Sequence, residues 1–131
     1  TLADSYQTVL QGTGVAATDE EQHLPGRSWL DLSHQEDDPG RIAFSEYHAV
    51  ASPSGAFMIR KGRYKLIYYV GYEAELFDLE ADPEESANLA GEPAHQAVLA
   101  EYEGYLRDIC DPELEFMKWL FKQKFSGNSK K

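Results

Sequence analysis

The sequence predicts an α+β fold, a small four-stranded antiparallel sheet packed by C-terminal helices. Three observations predict it. Met58 to Tyr69 reads as two strands around a tight turn at Lys61-Gly62-Arg63. Glu75 to Leu79 reads as another strand, running into a proline-marked turn at Asp82-Pro83. Val98, Leu99, Tyr102, Tyr105, Leu106 and Ile109 recur at helical spacing and supply an apolar side that can cover one face of the sheet. A sheet this small has little stability without such a cover.

The elements follow in chain order. Ala3 to Leu10 fits a short helix, with Asp4 as its cap and Gly12-Thr13-Gly14 as its stop. A helix this short is marginal alone and expects a partner. Thr18 to Gly40 is polar, broken by Pro25-Gly26 and Pro39-Gly40, and reads as a long connection with one turn around Trp29 to Leu32. Connections longer than about 15 residues usually serve a site or span a second body. Ile42 to Tyr47, Ala56 to Arg60, Tyr64 to Val70 and Glu75 to Leu79 are the four strands, with Gly62 and Gly71 at two of the turns. Asp82-Pro83-Glu84-Glu85 signals a single helical turn ending near Gly91, Asp82 capping it and Glu85 completing a capping box. Glu92 or Pro93 then opens the covering helix. Asp111-Pro112 starts a terminal helix whose Leu114, Met117, Trp119, Leu120, Phe121 and Phe125 make it apolar on more than one side, and a loose basic tail follows. The expected organisation is 1–40, a short helix and long connection leading from a missing larger domain; 41–110, the sheet with its covering helix; and 111–131, the terminal helix and tail.

Composition narrows the function. The 131 residues are 42% apolar and 27% charged, enough for a core at single-domain length. A formal net charge of −11 argues against a nucleic-acid partner. No apolar run reaches bilayer length, so no membrane partner is expected. Cys110 is the only cysteine, which excludes an internal disulfide and leaves the compartment unread. Charge is polarised. Tyr72 to Leu106 holds no lysine or arginine, whereas Lys118 to Lys131 holds five lysines and no acid. The two stretches suit mutual attraction, within the chain or between copies.

Catalytic machinery is sparse. His23, His34, His48 and His95 are scattered, and none pairs at i, i+4 on a helix in the way that would build a zinc site. Asp37-Asp38 and Glu84-Glu85 sit in turns and caps. Gly12-Thr13-Gly14 lacks the lysine of a phosphate loop. The cluster that stands out is Glu46-Tyr47-His48, which closes a strand and opens the loop through Pro53-Ser54-Gly55. His48 and Glu46 are therefore the candidate substrate-adjacent residues, with Arg60 and Lys65 on neighbouring strands as supporting basic groups. The bland alternative pairs Glu46 with Arg41 or Arg60 and leaves His48 on the surface. No catalytic residue and no metal ligand is assigned within the chain.

Arg60-Lys61-Gly62-Arg63-Tyr64-Lys65, Glu75-Leu76-Phe77-Asp78-Leu79, Asp82-Pro83-Glu84 and Asn88-Leu89, taken as an ordered set, resemble the C-terminal segment of the sulfatase family within the alkaline-phosphatase-like superfamily. Upstream, Asp4, Thr8-Val9-Leu10 and Gly14-Val15 are similar to the short helix preceding that segment. Pro25-Gly26-Arg27-Ser28-Trp29 stands where the family has a Gly-x-Ser-Leu stretch, and Phe44-Ser45-Glu46-Tyr47 where it has a strand. The resemblance covers residues 4 to about 90. Glu46-Tyr47-His48 together with Ile109-Cys110-Asp111-Pro112 resembles the choline-sulfatase-like bacterial branch.

The resemblance implies a C-terminal, non-catalytic piece of a sulfuric ester hydrolase, inactive alone, that shapes the active-site entrance. It implies a catalytic domain elsewhere in the same protein, carrying a formylglycine made from Cys-x-Pro-x-Arg or Ser-x-Pro-x-Arg and a divalent metal such as calcium. Cys110 lacks that motif's arginine. The implied partner is the N-terminal catalytic domain, and the apolar surfaces awaiting it favour self-association of the chain alone. A free-standing interaction module gripping a partner through Trp119, Phe121 and Phe125 is one alternative. A piece of a phosphonate or phosphate ester hydrolase of the same architecture is the other.

Overall fold

The structure, a computed structural model, describes residues 2–49 and 52–126. It divides into two compact units, Thr1–Pro39 and Gly40–Lys131. The basic tail expected to be loose falls, from 127 on, outside the described residues.

The first unit holds α1 (Ala3–Thr13) and α2 (Trp29–Leu32), with a 3-10 turn at Glu21–His23 between them. α1 runs three residues past its expected end, through Gly12, and stops at Gly14 in the left-handed conformation that closes many helices. Asp4 does not cap it. The N-cap is Leu2, without a side-chain bond. Asp4 is instead fully buried, and its Oδ1 accepts the Arg27 N–H at 2.9 Å. Thr8 Oγ1 accepts the Trp29 N–H at 2.8 Å, so the loop before α2 is tied to α1 at two points. Gly26 allows that approach, because a Cβ there would stand 2.3 Å from the Ala3 carbonyl oxygen. Ser28 caps α2 by accepting the Leu30 N–H. Among its described residues the buried ones are Asp4 and Ser28, both polar, while Leu2, Val9, Val15, Leu24, Trp29 and Leu30 are exposed.

The second unit is the expected sheet and its helices. β1 (Ile42–Tyr47), β2 (Ala56–Lys61), β3 (Tyr64–Tyr69) and β4 (Glu75–Asp78) form an antiparallel meander in the order β1-β2-β3-β4. Alternation sets the two faces. Phe44, Ile59, Leu66 and Leu76 lie in register across all four strands, and Phe57 faces Tyr68. Phe57, Ile59, Leu66 and Leu76 form the core with Tyr102 and Leu106 of α3 (Gln96–Ile109), and Phe44 packs against it half-buried. Ile59, Leu66, Leu76 and Phe57 are wholly inaccessible. Burial of this kind is worth roughly 25 cal/mol per Å² of apolar surface. Ile109, expected on the buried side of α3, is instead 45% exposed at the last residue of the helix.

The segment between β4 and α3 is not the expected helical turn. Asp82 does cap, accepting the Ala87 N–H at 2.8 Å and the Ser86 hydroxyl at 2.9 Å. Glu85, however, adopts φ +55°, which ends helical winding at once. Its carboxylate reaches Lys65 of β3 instead of completing a capping box. Further on, Asn88 and Leu89 extend β4 sideways: Asn88 Oδ1 accepts the Leu76 N–H at 3.0 Å and Leu89 N–H donates to Leu76 O at 2.8 Å. A 3-10 turn, Pro93–His95, leads into α3. Asp111 then caps α4 (Pro112–Ser126) by accepting the Leu114 N–H at 2.9 Å.

Candidate functional site

Glu46 and His48 lie at the end of the sheet where β1 gives way to the β1–β2 loop. Glu46 is opposite Phe57 and on the side of the sheet that faces α3, by the same alternation that buries Phe44. His48 sits in an aromatic box. Phe57 meets its ring edge-on at 5.3 Å between centroids, while Phe116 and Trp119 of α4 lie nearly parallel to it at 6.2 and 5.9 Å. Such pairs add about 0.5–1.5 kcal/mol each beyond their buried area. Its side chain is only 13% exposed. Gly55 makes room for it, since a Cβ there would stand 3.0 Å from the imidazole and 3.1 Å from Phe116.

His48 Nε2 is 3.9 Å from Glu46 Oε2, at the limit of an ion pair and too long for a hydrogen bond. Its Nδ1 is buried with no hydrogen-bond partner among the described residues. His48 is thus neither the surface residue of the bland alternative nor open to solvent, because α4 roofs it. Glu46 is about half exposed. Arg60 and Lys65 belong elsewhere. They face each other across β2 and β3, beyond Ile59 and nearer the Gly62 turn, and Lys65 is engaged by Glu85. The structure brings Glu46 and His48 together and leaves Arg60 and Lys65 apart from them.

α4 is fastened to the sheet by a second cluster that the sequence did not signal. Arg107 of α3 donates to Glu113 through Nη1 at 2.9 Å and Nη2 at 3.2 Å, and the Tyr68 hydroxyl donates to Glu113 Oε1 at 2.6 Å. The guanidinium, followed by the phenol, holds the Glu113 carboxyl down to about 2. The same bond pushes the Tyr68 phenol up. Partners 39 and 45 residues away leave no local pattern to read.

Behind Glu46, at the C-cap of α3, is Cys110. Burial pushes its thiol up, and Glu46, Glu115 and Asp111 push it further. A proline does stand two residues after it, at the offset of Cys-x-Pro-x-Arg, but Leu114 occupies the arginine position. A thiol held protonated among carboxylates is a poor nucleophile. Among the described residues no group of three or more His, Cys, Asp or Glu side chains could hold a metal ion. These residues do not fit a formylglycine or a divalent metal, and no chemical step is assigned through either.

On the opposite side of the same sheet end is a groove of about 720 Å³ between Tyr47, Tyr69, Tyr72, Pro53 and Glu73. Tyr47 and Tyr69 flank Ala56 in adjacent strands, and the Tyr69 hydroxyl donates to Glu75 at 3.0 Å. The small residue between two tyrosines in register was the available signal.

The sheet and its covering helix have counterparts in known proteins. The family described as N-sulphoglucosamine sulphohydrolase, C-terminal, matches residues 2–111. The chain belongs to this family. It corresponds to the C-terminal portion of a sulfatase-like protein of the alkaline phosphatase superfamily. As a sulphohydrolase C-terminal domain it is similar to a Delta 4,5-hexuronate-2-O-sulfatase of Bacteroides thetaiotaomicron, 42% identical over 49% of the chain and 13% of the relative. It is also similar to a choline-sulfatase of Rhizobium meliloti, 48% identical over 37% of the chain and 9% of the relative. A solved phosphonate monoester hydrolase of Agrobacterium radiobacter matches with a TM-score of 0.59 and 25% identity, over 80% of this chain and 23% of the other. The chain thus spans under a quarter of the length of each. α4 lies beyond the residues matched to the family. No helix among the described residues is long and apolar enough to cross a membrane.

Proposed function

We propose that this chain completes a sulfuric ester hydrolase, forming one wall of its active-site entrance while a catalytic domain elsewhere in the polypeptide does the chemistry. The match of residues 2–111 to a sulphohydrolase C-terminal family carries this reading. In it, residues 1–40 lead from the catalytic domain, 41–110 form the wall, and 111–131 form a terminal helix and tail. The exposed Leu2, Val9, Val15, Leu24, Trp29 and Leu30 of the first unit suit a docking face for that domain, because a unit whose buried residues are polar needs apolar cover from outside. Displayed without it, they drive self-association of the chain.

Formylglycine and a divalent metal, calcium in this reading, belong to the catalytic domain. Glu46 and the loop beginning at His48 stand at the entrance, His48 as the buried pivot and Glu46 as the exposed carboxylate. Arg60 and Lys65 stiffen the scaffold behind them. The likeness to choline-sulfatase supports a place in that branch. The likeness to a phosphonate monoester hydrolase supports a second reading, in which the parent cleaves phosphonate or phosphate esters.

The test compares this chain with its complete protein on sulfate, phosphodiester and phosphonate monoesters, with and without calcium. The expected result is sulfate release by the complete protein and none by the chain. Turnover by the chain alone, lost on His48→Ala or Glu46→Gln, overturns the reading. Cleavage of phosphonates without sulfate release moves the assignment to the second one.

A further inference from the structure

α1 is turned inside out. Asp4, Thr8 and Gln11 stand on one side of the helix, at spacings of four and three, and hold the returning chain. Asp4 Oδ1 accepts the Arg27 N–H, Thr8 Oγ1 accepts the Trp29 N–H, and Gln11 Nε2 donates to Asp31 Oδ1 at 2.7 Å. Leu2, Tyr6 and Val9 repeat at the same spacings on the opposite side and are 86%, 40% and 61% exposed. A surface helix of a self-sufficient unit carries the reverse arrangement, its apolar stripe inward and its polar stripe outward.

Hydrogen bonds alone do not hold such a unit. Near the surface they exchange water for protein at little net gain. Residues 1–39 contain no cysteine for a staple, and folds below about 40 residues generally need one. α1, at 11 residues, is shorter than the roughly 12–15 at which even good helix formers hold alone. Position selects what covers the stripe. The family matched is a C-terminal one and the match starts at residue 2, so in the reading proposed above the catalytic body joins the chain at the start of α1. A body attached there acts at an effective concentration in the millimolar range, which a free second copy does not reach.

We propose that the first unit is an anchor whose folding is coupled to docking: α1 is marginal in this chain, and the catalytic domain completes it by closing apolar surface over Leu2, Tyr6 and Val9. The second unit has its own core, centred on Ile59 and Leu66, and folds without that help. The wall is therefore fastened only to a catalytic domain that has itself folded. This rests on the attachment to a catalytic domain proposed above and is independent of which ester that domain cleaves.

The experiment is hydrogen exchange read by mass spectrometry of peptic fragments, on the 131-residue chain diluted until sedimentation shows a monomer and on the complete protein. In the chain, the amides of Ala3–Thr13 should exchange at least about a hundredfold faster than those of residues 56–69. In the complete protein they should slow by at least about a hundredfold. Val9→Lys, which keeps a good helix former at that position, should remove most of this slowing in the complete protein. It should leave the amides of residues 56–69, and the exchange of the chain alone, unchanged. Equal protection of α1 in the monomeric chain and the complete protein overturns the proposal and leaves docking of a preformed surface standing. Fast exchange of α1 in both overturns the proposal and the attachment reading together. Slow exchange that survives Val9→Lys in the complete protein takes the cover away from this stripe and overturns the proposal as well.

Discussion

At the scale of single residues, two glycines separate backbone from side-chain constraint. Gly26 has φ +112°, and a Cβ there would overlap the Ala3 carbonyl, which cannot swing aside without moving α1. Gly26→Ala should therefore loosen the first unit by about 2 kcal/mol or more, read as faster tryptic cleavage after Arg27. The nearest atoms to a Cβ at Gly55 belong to the rings of His48 and Phe116, side chains that can give by a few tenths of an ångström. Gly55→Ala should cost about 1 kcal/mol and shift Trp119 fluorescence while leaving the sheet intact. Leu66, wholly buried in the middle of the core row, sets the opposite extreme. Leu66→Ala should cost about 2–5 kcal/mol in urea unfolding. Which residues were legible follows from range. Leu66 falls in a strand, Tyr64 to Val70, that the local sequence marks, whereas the burial of Asp4 depends on an N–H 23 positions away and looked in sequence like a cap.

Among the elements, α4 is the one held by few points, the Phe116–Trp119 stack and the Glu113 cluster. Glu113 makes that hold pH-dependent. Its carboxyl sits at about 2 in the folded chain against an ordinary 4.5, so the unfolded state binds the proton first. The contribution is present above about 4.5 and is lost as the pH falls through about 2. Acid titration followed by near-ultraviolet circular dichroism of Tyr68 and Trp119 should show α4 losing its fixed packing across that window, and Glu113→Gln should flatten the change at acid pH. Element existence was well marked in the sequence: all four strands, the α3 face and the Asp111-Pro112 start lie within a residue or two of expectation. The turn at Asp82 was misread because its signals are local and its outcome is not. Lys65, on a neighbouring strand, draws Glu85 away from the box it would have completed.

For the whole molecule, the division after Pro39 and the lack of a fully buried apolar side chain among the described residues of the first unit make different demands on the two parts. Limited proteolysis should yield a resistant piece beginning near Gly40, identified by its mass, while the first unit is digested. Early loss of the sheet unit would contradict a core centred on Ile59 and Leu66. That Glu46 and His48 share a strand end was legible. The α4 roof over His48 was not, since a helix apolar on more than one side does not announce which side faces inward. The Asn88-Leu89 latch carries a last consequence. By occupying both main-chain groups of Leu76, it takes the outward-facing pair on β4 that a foreign strand would otherwise find there. Templated growth of the sheet is thereby steered to the β1 border, and a β-adding peptide or an aggregating neighbour should register as amide protection at Ile42–Tyr47 before any change at Glu75–Asp78.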